Sequence, residues 1–180
     1  IMIHGVMEED FWQIRRILAK MGVIFQKSNC RLHMDHSGVI CFVAKRGELV
    51  SAEKIQAGLW PAFPTDLMSP AIVLATQCNG TTLAHDWMYE GRMFFVDKLI
   101  KMGAKIILAD PHRVIISGPT KLYGRTNSSP DIRSGIALVI ASLIAQGGSV
   151  IHRVELIDRG YEKLDQRLRA LGADITRKDD

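Results

Sequence analysis

Two stretches of this chain are apolar on every side of a helix. Residues 71–78 read Ala-Ile-Val-Leu-Ala-Thr-Gln-Cys, and residues 135–145 read Gly-Ile-Ala-Leu-Val-Ile-Ala-Ser-Leu-Ile-Ala. A helix without a polar stripe has to be covered all round. The longer stretch is about half the ~20 residues needed to cross a bilayer, so it reads as a core helix. A chain of 180 residues is long enough to wrap one domain around two such helices. Each stretch ends in a stop signal, Asn79-Gly80 or Gly147-Gly148, and β-rich residues follow at 81–85 and 149–154. The second helix has a predicted start, with Ser129 as N-cap, Pro130 in the first helical position and Asp131 in the first turn.

A second helix type alternates with the first and recurs three times. Runs ending at residues 18–24, 99–106 and 168–175 each place apolar residues three and four apart, as in Val96, Leu99 and Ile100 or Leu164, Leu168 and Leu171. Each run closes on a glycine (Gly22, Gly103, Gly172) suited to a C-terminal cap. β-branched residues then start a strand. Residues 38–43 and 112–117 supply returning strands across turns at Asp35-His36-Ser37-Gly38 and Asp110-Pro111-His112. The predicted unit is buried helix, strand, amphipathic helix, strand, strand. The first copy lacks its buried helix. The chain also opens on Ile1-Met2-Ile3, so it is expected to begin inside a larger protein, with an apolar groove near residues 1–6 prone to self-association.

Composition narrows the function. The net charge of +4 suits anionic small molecules and carries no block of like charges. With only 7% aromatic residues and no strand interleaving basic and aromatic side chains, nucleic acid is not the expected partner. Cys30, Cys41 and Cys78 have no CxxC spacing and read as free thiols of a reducing, cytoplasmic protein. The six histidines are scattered, with only His33 and His36 close together, and no metal site or phosphate-binding glycine motif is apparent.

Several polar residues stand at element ends, where functional side chains commonly project. Asp66 precedes the first buried helix, Asp131 and Arg133 open the second, and Arg92 and Arg159 occupy corners ahead of amphipathic helices. Structure alone could explain each one: Asp66 as a cap, Asp131 and Arg133 as an ion pair, Arg92 and Arg159 as solvated charges.

Taken in order, Phe63-Pro64-Thr65-Asp66, Glu90-Gly91-Arg92-Met93, Leu99-Ile100-Lys101-Met102-Gly103-Ala104, Asp131-Ile132-Arg133 and Ile157-Asp158-Arg159-Gly160-Tyr161-Glu162 resemble the UDP-N-acetylglucosamine 1-carboxyvinyltransferase family of enolpyruvyl transferases. The match covers nearly the whole chain and corresponds to that family's C-terminal portion. The resemblance implies an inside-out α/β barrel domain of repeated βαβαββ-like units with buried helices, residues 1–180 forming one domain whose first unit is truncated. It implies phosphoenolpyruvate and UDP-N-acetylglucosamine as substrates, no cofactor, and a second domain that supplies the proton-donor loop, a Lys-Asn pair and the main uridine contacts. By the resemblance, Asp66 accepts the proton of the sugar 3-hydroxyl. Met88 meets the nucleotide sugar through its backbone. Arg92 and Arg159 line the cleft, with Arg159 near phosphoenolpyruvate, and Asp131 and Arg133 are an acid–arginine pair supporting that wall. None of the cysteines falls in a matching motif.

The sequence departs from the family in two places. Gly91 stands where Asn is usual, implying a looser corner around Arg92. Ser69-Pro70 interrupts a usual helix, implying a start at Pro70 with Asp66 on a loop. A relative with another acceptor, such as shikimate 3-phosphate, and a non-catalytic polyanion-binding module are the competing readings.

Overall fold

The computed structural model describes residues 1–28 and 39–178. The predicted turn at 35–38, the His33–His36 pair and Cys30 lie outside them. The first unit runs β1 (Met2–Met7), α1 (Glu8–Lys20), β2 (Val23–Ser28) and β3 (Val39–Arg46), in an antiparallel sheet of order β1-β3-β2. The second runs β4 (Lys54–Gln56), α2 (Met68–Ala75), β5 (Gly80–His85), α3 (Val96–Lys101), β6 (Lys105–Asp110) and β7 (Arg113–Gly118), in a sheet of order β4-β5-β7-β6. The third contains β8 (Thr126–Ser128), α4 (Ile132–Ile144), β9 (Val150–His152), α5 (Glu155–Asp158) and α6 (Leu164–Ala170).

The internal repeat is visible in the pairing. In the first unit the strand before the amphipathic helix pairs with the last strand, which also holds the middle one. β5, β7 and β6 repeat that order. In the second and third units a short strand enters before the buried helix and lies parallel to the strand after it, as β4 to β5 and β8 to β9. A parallel pair needs a crossover, and the apolar helix supplies it. The second unit is thus a complete βαβαββ unit. No ladder joins the three sheets among the described residues, so the chain is a mixed α/β fold in which a closed barrel is not formed by hydrogen bonding.

The two apolar helices are the core, as their composition demands. Ile72 and Val73 of α2 and Ala137, Leu138 and Ala141 of α4 have no solvent exposure, and the two helices pack on each other. α2 also packs on β5 and β7. The amphipathic α3 buries Val96 and Leu99 and turns Lys101 outward, while Lys98 is half-buried.

The first unit is different. α1 buries none of its residues, and Ile1, Met2, Met7 and Ile24 are exposed, whereas Ile3 and Val6 are half-buried. It is tied to the rest at Met21, which is fully buried, and at Gly22. Gly22 has φ +90°, and a Cβ there would lie 1.8 Å from the Glu48 carbonyl oxygen, so only glycine can make this junction.

Four expectations are corrected. The cap of α4 is Asp131, not Ser129: its Oδ1 accepts from the Arg133 and Ser134 amides, while Ser129 instead donates to the Asp131 carbonyl. Asp131 is extended, as an N-cap must be, so the helix starts two residues later than Pro130 suggests. Second, α2 begins at Met68 and is preceded by a 3-10 turn at Thr65–Leu67. Pro70 falls in its first turn, where a missing N–H costs little, so Asp66 sits on a turn continuous with the helix rather than on a loop. Third, the last amphipathic run is split into α5 and α6, with Lys163 left-handed between them. Fourth, no strand forms after Gly172. Residues 173–178 lie in no element because no described strand is beside them to share a ladder. They are anchored instead by Arg177, which donates to both oxygens of Asp158 at 3.0 and 2.6 Å and holds that carboxyl below the ordinary carboxylate range.

Candidate functional site

The N-terminal ends of α2 and α4 lie side by side, pinned by a hydrogen bond from Ser69 Oγ to the Arg133 carbonyl (2.8 Å). Unpaired amides and the helix dipole make such ends attractive to anions. Beside them runs the segment from Gly91 into α3. Together these walls enclose a cleft of about 390 Å³, within the range of small-molecule sites. Thr65, Asp86, Arg92, Lys98, Asp131 and Arg133 supply its polar lining.

Asp66 projects from the 3-10 turn and is not itself among the residues lining the cleft, but it meets two arginines that are. Its Oδ1 accepts from Arg133 Nε and lies 3.9 Å from Arg92 Nη1. The Asp66 partner holds the Arg133 guanidinium still more firmly protonated. The expected Asp131–Arg133 side-chain pair is replaced by this one. Both Asp131 oxygens are engaged in capping, Oδ1 by two amides and Oδ2 by the Ser134 hydroxyl, so the guanidinium reaches across to Asp66.

Arg92 is the most heavily held residue of the site. Its guanidinium stacks over the Tyr89 ring at 3.5 Å from the centroid and donates to Thr65 Oγ1 at 2.7 Å. Thr65 in turn donates to Asp86 Oδ2, and Asp86 Oδ1 accepts from the Met88 amide at 3.1 Å. Met88 therefore has its N–H engaged within the fold. Arg159 stands apart. It is the exposed C-cap residue of α5 and does not line the cleft, although its neighbour Gly160 packs against Ile132 at the start of α4. Tyr161, in the same corner, is packed against α4, and burial and the nearby Asp66 carboxylate raise its phenol above the usual range.

The corner before Arg92 is well defined, correcting the expectation of looseness. Gly91 has φ +77°, the left-handed region that glycine and asparagine share. A Cβ there would meet Phe94 Cε2 at 3.3 Å, the edge of a half-exposed ring that can move. Gly91→Asn is expected to cost under about 1 kcal/mol in denaturant unfolding, and Gly91→Val about 2 kcal/mol, because a β-branched residue is strained at positive φ. Equal losses would show that space, not backbone conformation, selects the glycine.

Sequence reasoning missed Thr65, Asp86, Tyr89 and Lys98. One signal was available for Asp86: the inward phase of β5 places Thr82, Ala84 and then Asp86 on the same buried side. Among the described residues no cluster of His, Cys, Asp and Glu could hold a metal, and no helix is long and apolar enough to cross a membrane.

The chain is a repeated α/β fold whose two buried helices bring their N-terminal ends, with Arg92, Lys98 and Arg133, to one cleft, an arrangement that favours anions. The family model for EPSP synthase (3-phosphoshikimate 1-carboxyvinyltransferase) matches residues 1–168, and the chain belongs to that family of enolpyruvyl transferases. Its curated relatives include the UDP-N-acetylglucosamine 1-carboxyvinyltransferases of Treponema denticola, 54% identical over 99% of this chain, and of Bradyrhizobium diazoefficiens, 56% identical over 69% of it. The chain spans 42% and 29% of those two relatives. Among solved structures, the enolpyruvyl transferase NikO from Streptomyces tendae superposes over 97% of this chain and 39% of its own, with a TM-score of 0.79 and 22% identity. EPSP synthase from Acinetobacter baumannii superposes over 98% of this chain and 40% of its own, with a TM-score of 0.66 and 18% identity. At those identities the structures speak for the fold.

Proposed function

We propose that this chain is part of an enzyme that transfers the enolpyruvyl group of phosphoenolpyruvate to the 3-hydroxyl of UDP-N-acetylglucosamine and releases phosphate. The observation that carries this reading is the 54% identity to a relative of that name along 179 residues. The shikimate acceptor is disfavoured, because the relatives at 44–56% identity share the nucleotide-sugar name. The remaining part of such a protein would supply the acid that protonates the enol carbon and the uridine contacts. The enzyme would act in the cytoplasm on the route to peptidoglycan.

In this reading Asp66 takes the proton of the sugar hydroxyl as its oxygen bonds to C2 of phosphoenolpyruvate. A tetrahedral ketal phosphate results; its C3 methyl then gives a proton back to a base of the site as phosphate leaves C2 and the double bond re-forms. The exposure of Asp66 and its pairing with two arginines of the cleft lining support this role: a carboxylate held by cations is aimed, yet accessible to a bound hydroxyl. Arg92 and Arg133 balance charge on phosphate and carboxylate groups, for which guanidinium forks are suited. Arg159 and Met88, which lie outside the cleft lining, would add substrate contacts from beyond it, and Asp131 supports the wall by fixing the start of α4.

The test is a chimera in which this chain replaces the matching part of the Treponema denticola relative. Phosphate release that requires both phosphoenolpyruvate and UDP-N-acetylglucosamine is the expected result, with none from the 180-residue chain alone. A folded chimera inert with this pair but active with shikimate 3-phosphate would overturn the acceptor assignment.

A further inference from the structure

Asp86 is 1% exposed, yet among the described residues no arginine or lysine makes a hydrogen bond to it. The nearest cation, Arg92 Nη1, is 4.0 Å away. A buried carboxylate in this position needs a reason beyond stability, since an apolar residue on the inward face of a strand would be cheaper. Its two oxygens are divided. Oδ1 takes the Met88 amide, fixing the turn that leads to Tyr89 and Arg92, and Oδ2 takes the Thr65 hydroxyl. The backbone of Asp86 is locked as well, its amide donating to the His112 carbonyl at 2.9 Å and its carbonyl facing His112 Nδ1 at 2.8 Å.

We infer that Asp86 is a positioning residue that sets the direction of a hydrogen-bond relay, Arg92 to Thr65 to Asp86, and so joins the turn bearing Asp66 to the corner bearing Arg92. A carboxylate offers only acceptors, so the Thr65 hydroxyl must give its proton to Asp86. Its lone pairs are then left facing Arg92 Nη1 at 2.7 Å. The Tyr89 ring closes the other side of the guanidinium. The turn at Thr65–Leu67 and, 21 positions on, the stretch from the end of β5 to residue 92 are thereby set by one buried carboxyl. An amide in its place cannot serve both partners. With its oxygen on the Met88 amide, its NH2 group becomes a second donor aimed at Thr65, whose hydroxyl proton then loses its acceptor and must turn elsewhere, leaving Arg92 Nη1 and the amide to crowd onto one oxygen.

The inference rests on the proposed transfer reaction for its consequence in rate, and has a second readout that does not. In the chimera, Asp86→Asn and Thr65→Val are each expected to lower kcat about tenfold with KM for both substrates within about threefold, because misaligned groups act on the transition state. The double variant should fall within about threefold of the slower single variant, since both changes cut one relay. In the 180-residue chain, phenylglyoxal modification of Arg92, followed by peptide mass spectrometry, should speed up severalfold in Asp86→Asn while that of Arg159 is unchanged.

Losses that multiply, a kcat within about threefold of the parent, or an unchanged Arg92 modification rate would each overturn the inference. A chimera inert in its parent form refutes the proposed reaction instead, and Arg92 modification alone then decides the relay. If Asp86→Asn does not fold, the near-isosteric Thr65→Val carries both readouts, with the same outcomes deciding.

Discussion

Asp66→Asn in the chimera is expected to lower kcat by about 10²–10⁴, the usual contribution of a positioned general base, while KM for UDP-N-acetylglucosamine rises by no more than about tenfold. The amide keeps the size of the side chain and an oxygen for Arg133, so the cleft wall is retained and the lost capacity is proton acceptance. The folded state should hardly notice, because the Asp66 side chain is 63% exposed and exposed ion pairs contribute little. Steady-state kinetics with a thermal melt on the same preparation make the check. Equal losses in kcat and in sugar affinity, with no slowing of single turnover at saturation, would assign Asp66 to binding and leave the hydroxyl proton to another group.

Leu138→Ala is expected to produce the largest loss of stability. Leu138 has no exposed surface and sits on α4 where it packs against α2. Truncation removes buried methyl groups and leaves a cavity, at about 3 kcal/mol within a 2–5 kcal/mol range. For a chain of this size the melting temperature should fall by about 10 °C. Leu143, on the same helix but 39% exposed, is the control: Leu143→Ala should cost under about 1 kcal/mol. Urea midpoints at constant slope measure both. Similar small losses at the two positions would mean that α4 is not the centre of the core in solution.

Much of this architecture was legible in the chain. Residues 71–78 and 135–145 have no polar stripe to give to water, so a helix there is expected to be interior; α2 and the body of α4 are, while Leu143 and Ile144 in the last turn of α4 are exposed, correcting the expectation for that end. The three-and-four spacing of Val96, Leu99 and Ile100 marked α3 as a surface helix in the same direct way. The glycine stops and β-branched runs marked most strands. What failed were the ends. Ser129, Pro130 and Asp131 are all acceptable start residues, and only packing decides which one turns its side chain back to the free amides. Residues 173–175 have strand character but join no ladder among the described residues, and β-structure is a property of pairs.

The site divides along the same line. Asp66, Arg92 and Arg133 could be named from the chain because they stand at element ends in motifs with family precedent. Their partnerships could not. Asp131 and Arg133 are close in sequence, yet the arginine pairs with Asp66, 67 positions away, because capping has already used the nearer carboxylate. Asp86 carried no motif at all. The sequence by itself determined which helices are buried, how the unit repeats and which charged residues stand at the ends of the core. Only the tertiary structure decided which of those charges meet. Hydrophobic periodicity is local and can be read along the chain, whereas a hydrogen bond depends on the relative placement of segments distant in sequence, which no local pattern encodes.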